Sequence, residues 1–244
     1  MQIDALAVRL RSRTPTEASD LGVRLCQHAS RSIFPCFLFA AVPVVGVALA
    51  SYDLAPWLPA LVLWWSKPWL DRTILFVLSR AAFGQRTSPR DVWRAQRDVW
   101  WRQLFFTLSI LRLSPWRSLT QPVHQLEGLS IRPFRARVRQ IRHKTRAAAL
   151  MTTHAFSVAE LAIVSALLSL VFWLAPRGMT PDFSQVIAGD ATTFFGITFP
   201  ASYALAIVLI EPFYVAAGFA IYLNRRADLE AWDIEQEFRR AFGA

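Results

Sequence analysis

Five ionisable side chains lie inside three apolar runs of this sequence, where charged residues are rarely found. They are Lys67, Asp71 and Arg72 in ALVLWWSKPWLDRTILFVLSR, Glu160 in AELAIVSALLSLVFWLA, and Glu211 in ALAIVLIEPFYVAAGFAIYL. A charge in hydrocarbon costs several kcal/mol unless it is paired or hydrated. Such groups serve either as ion pairs that hold helices together or as a hydrated path along which an acid carries a proton.

These charges are predicted to lie at a common depth. Counted inward from the same side, Asp71, Arg72, Glu160 and Glu211 lie roughly fifteen residues, or about 22 Å, along their helices, and Lys67 lies one turn nearer that side. We therefore predict one intramembrane charged cluster. In it Lys67 and Asp71 are helix neighbours at i and i+4, and Arg72 meets Glu160 or Glu211. Two bases and three acids leave one acid unmatched, so helix locking and a proton path both remain open.

Two prolines adjoin the cluster. Pro68 follows Lys67 and Pro212 follows Glu211. Proline removes an intrahelical hydrogen bond, so we expect helix kinks at both positions. Carbonyls freed there need partners, and nearby basic side chains are predicted to supply them.

The elements that carry these residues are predicted to be membrane-spanning helices. The chain has 244 residues, 54% of them hydrophobic, and its mean hydropathy is +0.31. A span needs about 20 mostly apolar residues. Four runs satisfy this length, at 33–51, 57–80, 147–175 and 193–223. The sequence thus predicts an all-α, polytopic membrane protein with four spans and two or three interfacial amphipathic helices.

The basic residues predict the orientation of these spans. Nearly all of the 27 lysines and arginines lie in the polar leader, in residues 81–146 or in the tail, whereas the two opposite loops contain only Arg177. Short cytoplasmic loops carry the excess of lysine and arginine. We expect a bacterial inner-membrane protein with a cytoplasmic leader (1–31), spans 1 and 2 (32–83), a basic cytoplasmic or interfacial segment (84–146), spans 3 and 4 (147–223) and a cytoplasmic tail (224–244). No cleaved signal peptide is expected.

Residues 88–111 form the first predicted surface helix. The segment opens with a serine-proline helix start, and apolar residues recur at Trp93, Trp100, Leu104 and Leu111. Its apolar end is too short to cross a bilayer, so we predict an interfacial helix. The alternative is a re-entrant segment in which residues 104–111 dip into the membrane and return at Ser114.

The second predicted surface helix is SIRPFRARVRQIRHKTRA, which runs directly into the third span. Its apolar residues recur at three and four, and basic residues fill the other faces. These basic residues predict a surface for anionic lipid headgroups or a partner, although they also fit a simple topology signal. They are Arg132, Arg135, Arg137, Arg139, Arg142, Lys144 and Arg146. No aromatic side chains interleave with them to stack bases, so nucleic acid is not an expected partner.

Two further segments are predicted to lie at the cytoplasmic surface. The tail contains five acidic residues from Asp228 to Glu237, which predict docking on the basic helix. Exposed ion pairs contribute little, so a solvated tail is the alternative. RSLTQP and LEGL are expected in a surface turn, open to a partner.

No constellation of catalytic residues is recognisable. Cys26 and Cys36 offer no metal pair, and the four histidines are scattered. Metalloprotease, phosphate-loop and nucleophile-elbow motifs are absent from the sequence. We therefore expect no enzymatic activity, no metal and no cofactor.

Three segments carry a resemblance to a known family. SKPWLDR, LSPWRSLTQPVHQLEGL and EPFYVAAGFAIYLNRRADLEAWDIEQEFRR resemble an uncharacterised family of bacterial inner-membrane proteins. Such proteins are often encoded beside RDD-type, stage II sporulation protein M-like, MoxR-type ATPase and von Willebrand factor A-type proteins. The resemblance implies membership of a membrane assembly and no assigned activity. Members can continue past the position of Arg240, so the chain is expected to be either a short member or the membrane half of a longer protein.

The function expected from these features is that of a non-catalytic subunit or scaffold of a bacterial envelope membrane complex. Its partners would be lipid, other membrane proteins and, from the resemblance, a MoxR-type ATPase system. A transporter or channel component that uses the intramembrane charges is the alternative.

Overall fold

The computed structural model describes residues 13–102, 104–112, 114–129, 131–174, 183–188 and 194–230. Within these ranges the ordered elements are all helical, which confirms the all-α part of the predicted fold class. The α-helices are α1 (Pro15–His28), α2 (Ser30–Ala50), α3 (Leu58–Ala81), α4 (Pro89–Arg94), α5 (Leu104–Phe106), α6 (Arg117–Glu127), α7 (Ile131–Leu174), α8 (Phe183–Ala188) and α9 (Phe199–Glu230). Wider π-helical turns occur at Arg97–Trp101, Thr107–Leu111 and Phe194–Thr198.

In the part of the chain that the structure describes, three helical stretches are long and apolar enough to cross a membrane, judged by length and composition. They are Ser30–Asp53, Arg132–Leu174 and Phe194–Glu230. The predicted second span forms the 24-residue helix α3, but Lys67, Asp71 and Arg72 interrupt its apolar character. Composition therefore supports three candidate spans. Whether α3 is a fourth span depends on how its charged residues are neutralised.

Helix α9 is the centre of the bundle. It packs against α1, α3, α6 and α7. Small residues allow this close approach: a Cβ on Gly218 would lie 2.2 Å from Ser118 Cβ of α6, and one on Gly22 of α1 would lie 2.2 Å from the Ala216 carbonyl oxygen. The Ala216–Ala217–Gly218 stretch is therefore the surface on which α1 and α6 lie.

Helix α1 was not foreseen within the polar leader. A capping box between Thr14 and Glu17 starts it, and Ala18, Gly22 and Cys26 are buried at helical spacing. Burial raises the pKa of the Cys26 thiol to about 12. The described part of the leader is thus a docked helix, with an unreactive cysteine in its contact with the bundle.

The predicted continuous helix over residues 88–111 is wrong, although its start is confirmed. Ser88 and Asp91 form a capping box, and hydrogen bonds from Ser88 lower the pKa of Asp91. Helix α4 then ends at Arg94, and two π-helical turns follow. Backbone carbonyls of the first turn, at Asp98 and Val99, accept hydrogen bonds from Arg72 of α3.

RSLTQP is not in a surface turn. It forms the first half of α6, and the residues from Arg117 to His124 are buried in the bundle. Gly128, with φ of 60°, ends the helix in a left-handed conformation that glycine adopts without strain. We call residues 89–129 the inserted segment; in its described part, α4 packs against α2, and α6 packs against α3, α7 and α9.

The basic segment and the third predicted span form one helix, as predicted. Helix α7 is 44 residues long and has no break between them. Phe134 and Ile141 are buried in its basic half, which confirms its amphipathic character. The basic charges are thus rigidly connected to the apolar half of the same helix.

We predict that Gly218→Ala destabilises the protein. The new methyl group would overlap Ser118, and overpacking of this kind costs about 1–3 kcal/mol. Gly46→Ala in α2 is the matched control, because a Cβ there meets nothing within 4 Å. Alanine in place of glycine should raise helix stability by up to about 1 kcal/mol at that position. Apparent unfolding temperatures in one detergent measure both effects, and equal shifts would contradict the packing assigned to Gly218.

Candidate functional site: a buried charged cluster and its cavity

Lys67 of α3 joins two carboxylates from two other helices. Its Nζ lies 2.8 Å from each carboxylate oxygen of Glu160 on α7. The same Nζ lies 2.7 Å from Oε2 of Glu211 on α9. One ammonium group therefore connects α3, α7 and α9, as expected from the common depth of these residues.

Arg117, at the start of α6, provides the second positive charge. Its Nε lies 3.0 Å from Oδ2 of Asp71, and its Nη2 lies 2.5 Å from Oε1 of Glu211. Asp71 and Glu211 are each 1% exposed. We call Lys67, Asp71, Arg117, Glu160 and Glu211 the observed cluster. It contains four of the five predicted residues.

Arg72 does not join the cluster, so its predicted pairing with Glu160 or Glu211 is wrong. Its guanidinium donates to the carbonyl oxygens of Val99 and Asp98, the latter at 3.0 Å, and to the Thr107 hydroxyl at 2.8 Å. Consecutive helix residues point about 100° apart, so Asp71 and Arg72 face different neighbours. Arg72 thereby holds the two π-helical turns of the inserted segment.

The sequence interpretation missed Arg117 because it placed this residue in a surface turn. One signal was present: the apolar run 104–111 is followed by Ser114 and Pro115, as the re-entrant alternative requires. A segment that enters and returns at that turn brings Arg117 among the acids of α3 and α9.

Glutamines of α6 contact the backbone of α3 near the predicted kink. Gln121 donates to the Pro68 carbonyl at 2.7 Å, and Gln125 donates to the Arg72 carbonyl at 2.9 Å. Pro68 leaves the Trp64 carbonyl, four residues earlier, without its helical donor, so these two contacts do not bear on the predicted basic partners, which stay a prediction. Pro68 and Pro212 both lie within continuous helices beside the cluster.

Charge in the observed cluster is not balanced. Two basic groups face three acids, and neither oxygen of Asp71 forms a well-aligned hydrogen bond with the residues that the structure describes. A buried acid without hydrogen bonds is costly to keep ionised. The cluster is therefore suited to hold or exchange one proton.

A cavity of about 210 Å³ adjoins the cluster. Helices α3 and α7 both pack on α9 and make little contact with each other, so the cavity lies between them. Trp64 is 38% exposed, and Ser157 is also exposed. The full lining consists of Trp64, Lys67, Arg112, Ser114, Arg117, Thr153, Phe156, Ser157, Glu160, Tyr203, Ile210, Glu211 and Tyr214. We call this space the cluster cavity.

No protein-family model, curated protein or solved structure matches this chain.

The predicted basic surface divides into three groups. Arg132, Arg135, Arg139 and Lys144 are exposed on α7. Arg142 and Arg146 stack on the Trp116 ring, at 3.6 and 5.0 Å from its centroid. Arg137 instead pairs with acids inside the protein, so it is not part of a free lipid-binding face.

Arg137 lies at the centre of a second ion-pair network. Its Nε is 3.0 Å from a Glu127 oxygen, and its Nη2 contacts Glu230. Glu127 also accepts a hydrogen bond from the Tyr222 hydroxyl at 2.9 Å. The Glu230 contact agrees with the predicted docking of the acidic tail on the basic helix. Residues 231–244, which hold most of that tail, lie outside the described residues.

We predict that Arg117→Met strongly destabilises the protein. Removal of one partner from a buried ion pair costs about 3–5 kcal/mol, because the remaining acids stay buried without compensation. Arg132→Met, at an exposed position, should change stability by about 0.5 kcal/mol or less. Unfolding in detergent with increasing denaturant measures both variants.

A double-mutant cycle with Glu211→Gln isolates the pair itself. The two substitutions should be non-additive, with a coupling of about 0.5–3 kcal/mol. Strict additivity would contradict a direct interaction between Arg117 and Glu211.

Proposed function

We propose that this protein is a four-span bacterial inner-membrane protein with both termini in the cytoplasm. The basic residues support this orientation, and the length of α3 supports the fourth span. Asp71 and Lys67 of α3 meet opposite charges from α6, α7 and α9, which lowers the cost of placing α3 in a bilayer.

In this topology the inserted segment is re-entrant from the cytoplasmic side. Arg117 at one end of α6 contacts the middle of α3 and α9, whereas Glu127 at the other end contacts Arg137 and Tyr222 near the cytoplasmic ends of α7 and α9. Arg72 of α3 donates to two backbone carbonyls of its irregular part, and such contacts with protein are what non-helical chain at membrane depth requires.

The function that the geometry supports best is a component of a membrane transport system that exchanges a proton in the observed cluster. The observation that carries this proposal is the contact of Lys67 with both Glu160 and Glu211 at the wall of a polar cavity. Protonation of either glutamate weakens its attraction to Lys67, so the lysine shifts toward the other acid. Proton transfer would thus change the contact between α3 and α7 or between α3 and α9.

A subunit or scaffold of an envelope membrane complex is the second candidate. Only 6% of the most apolar 18-residue stretch of α7 is buried inside the protein, which leaves a long apolar face for lipid or another membrane protein. The exposed arginines of α7 would face anionic headgroups or a soluble partner such as a MoxR-type ATPase.

Cysteine labelling tests the topology. Cys26 and Cys36 are 0% exposed, so single cysteines can be introduced into the natural background. In spheroplasts, a membrane-impermeant maleimide should label Asp53→Cys directly but Arg135→Cys only after permeabilisation. The unsubstituted protein is the control. Labelling of Arg135→Cys without permeabilisation would exclude the proposed orientation.

Glu211→Gln tests the proton-exchange proposal. Glutamine keeps the shape of the side chain and one acceptor oxygen but cannot take up a proton, so the folded variant should lose proton uptake in proteoliposomes. A pH-sensitive dye inside the vesicles reports the uptake, and Asp20→Asn at the exposed surface of α1 is the control.

Two results would contradict proton exchange. Unchanged uptake by folded Glu211→Gln excludes the cluster as the path. Absence of uptake in the unsubstituted protein, together with stoichiometric membrane proteins that co-purify in mild detergent, favours the subunit role.

A further inference from the structure

Arg112 differs from the other basic side chains that line the cluster cavity. Lys67 and Arg117 are each bound by two acids of the cluster. Arg112 forms no ion pair with any residue that the structure describes, and its Nε is buried without a hydrogen-bond partner. Its guanidinium instead stacks on Trp64, with 3.5 Å between the guanidinium carbon and the ring centroid.

We propose that the cluster cavity binds a phosphate or carboxylate headgroup and that Arg112 is the residue that holds it. This inference rests on the proposed placement of the cavity within the bilayer. The ligand is the polar end of an anionic amphiphile that enters between α3 and α7.

The charges of the cavity select an anion over a cation. Among the residues that line the cavity, three are basic (Lys67, Arg112 and Arg117) and two are acidic (Glu160 and Glu211). Both of these acids already contact Lys67, and Glu211 also contacts Arg117. Arginine presents a planar set of N–H donors that matches phosphate and carboxylate oxygens. Stacking on Trp64 fixes that plane, and the Nε donor has no hydrogen-bond partner among the described residues.

The size of the cavity fits a headgroup rather than a whole lipid. Its volume of about 210 Å³ is below that of typical sites for drug-sized ligands, which begin at about 300 Å³. The apolar part of the ligand must therefore lie outside, in the gap between α3 and α7. Trp64 and Ser157 are exposed where the cavity meets that gap.

Ligand-induced stabilisation of the full-length protein in a neutral detergent tests this inference. The probes are short-chain phosphatidylglycerol, short-chain phosphatidylcholine, glycerol 3-phosphate and inorganic phosphate. A ligand that binds the folded state raises the unfolding temperature in proportion to its affinity and concentration. Phosphatidylglycerol should give a saturable rise that phosphatidylcholine does not.

The water-soluble probes distinguish the source of the anion. A rise with phosphatidylglycerol alone supports a lipid headgroup. A rise with glycerol 3-phosphate or phosphate as well supports a soluble anion at the same site. No rise with any of these probes, or equal rises with both lipids, overturns the inference.

Arg112→Gln tests the residue itself. Loss of a charged hydrogen-bond donor should weaken the apparent affinity by at least about tenfold. Arg132→Gln, at an exposed position on α7, is the matched control and should bind as the unsubstituted protein does. Equal affinity in the two variants overturns the assignment of Arg112.

A second variant keeps the test decisive if Arg112→Gln does not fold. Ser157→Phe leaves every charge in place but fills the mouth of the cavity, so it should abolish the lipid-induced rise. Undiminished lipid binding by this variant contradicts entry between α3 and α7. Proton uptake is measured on the same preparations of the unsubstituted protein. Proton uptake without anion binding would contradict this inference alone. Absence of both proton uptake and anion binding would contradict the proposed function as well.

Discussion

Every charge buried in this bundle has to be compensated by a charge or dipole from another part of the chain. The cost of an isolated ionised group in a low-dielectric interior exceeds the stability of most proteins, so the partners decide which segments come together. Lys67 and Arg117 meet this requirement for acids on α3, α7 and α9. Because Arg117 belongs to α6, the cluster forms only when the inserted segment folds into the bundle.

The rest of the inserted segment follows from this constraint. Gln121 and Gln125 bind carbonyls of α3, and Arg72 binds carbonyls of the first π-helical turn. Arg72 thus fixes the first π-helical turn against α3, and the two glutamines fix α6 against the same helix. The close approach of α6 to α9 also depends on Gly218, since any larger residue would overlap Ser118.

The observed cluster has features that fit a structural role and features that fit a role in proton exchange. Four helices share it, so it fixes their relative positions. It also contains one more acid than base, and it borders a cavity that opens between α3 and α7. A purely structural network would be better served by balanced charge and full hydrogen bonding, which the Asp71 carboxyl lacks among the described residues. The excess acid and the cavity are the reasons to favour proton exchange over simple locking.

The local pattern of apolar residues in the sequence determined the long helices. Apolar runs predicted α2, α3, α7 and α9 to within a few residues, except that α7 and α9 extend further into the basic segment and the tail. Hydrophobic period and helix-start residues act over a few positions, so they can be read without knowledge of the fold. The common depth of Lys67, Asp71, Glu160 and Glu211 followed from counting along those helices.

Only the tertiary structure decided which partner each charge takes. Asp71 and Arg72 are adjacent in sequence but face different elements, and Arg117 enters the cluster from a segment that looked superficial. The docking of α1 on α9 likewise depends on the shapes of two distant surfaces around Gly22 and Ala216. Partner choice depends on the three-dimensional direction of side chains and on which surfaces fit closely, and neither is a local property of the chain.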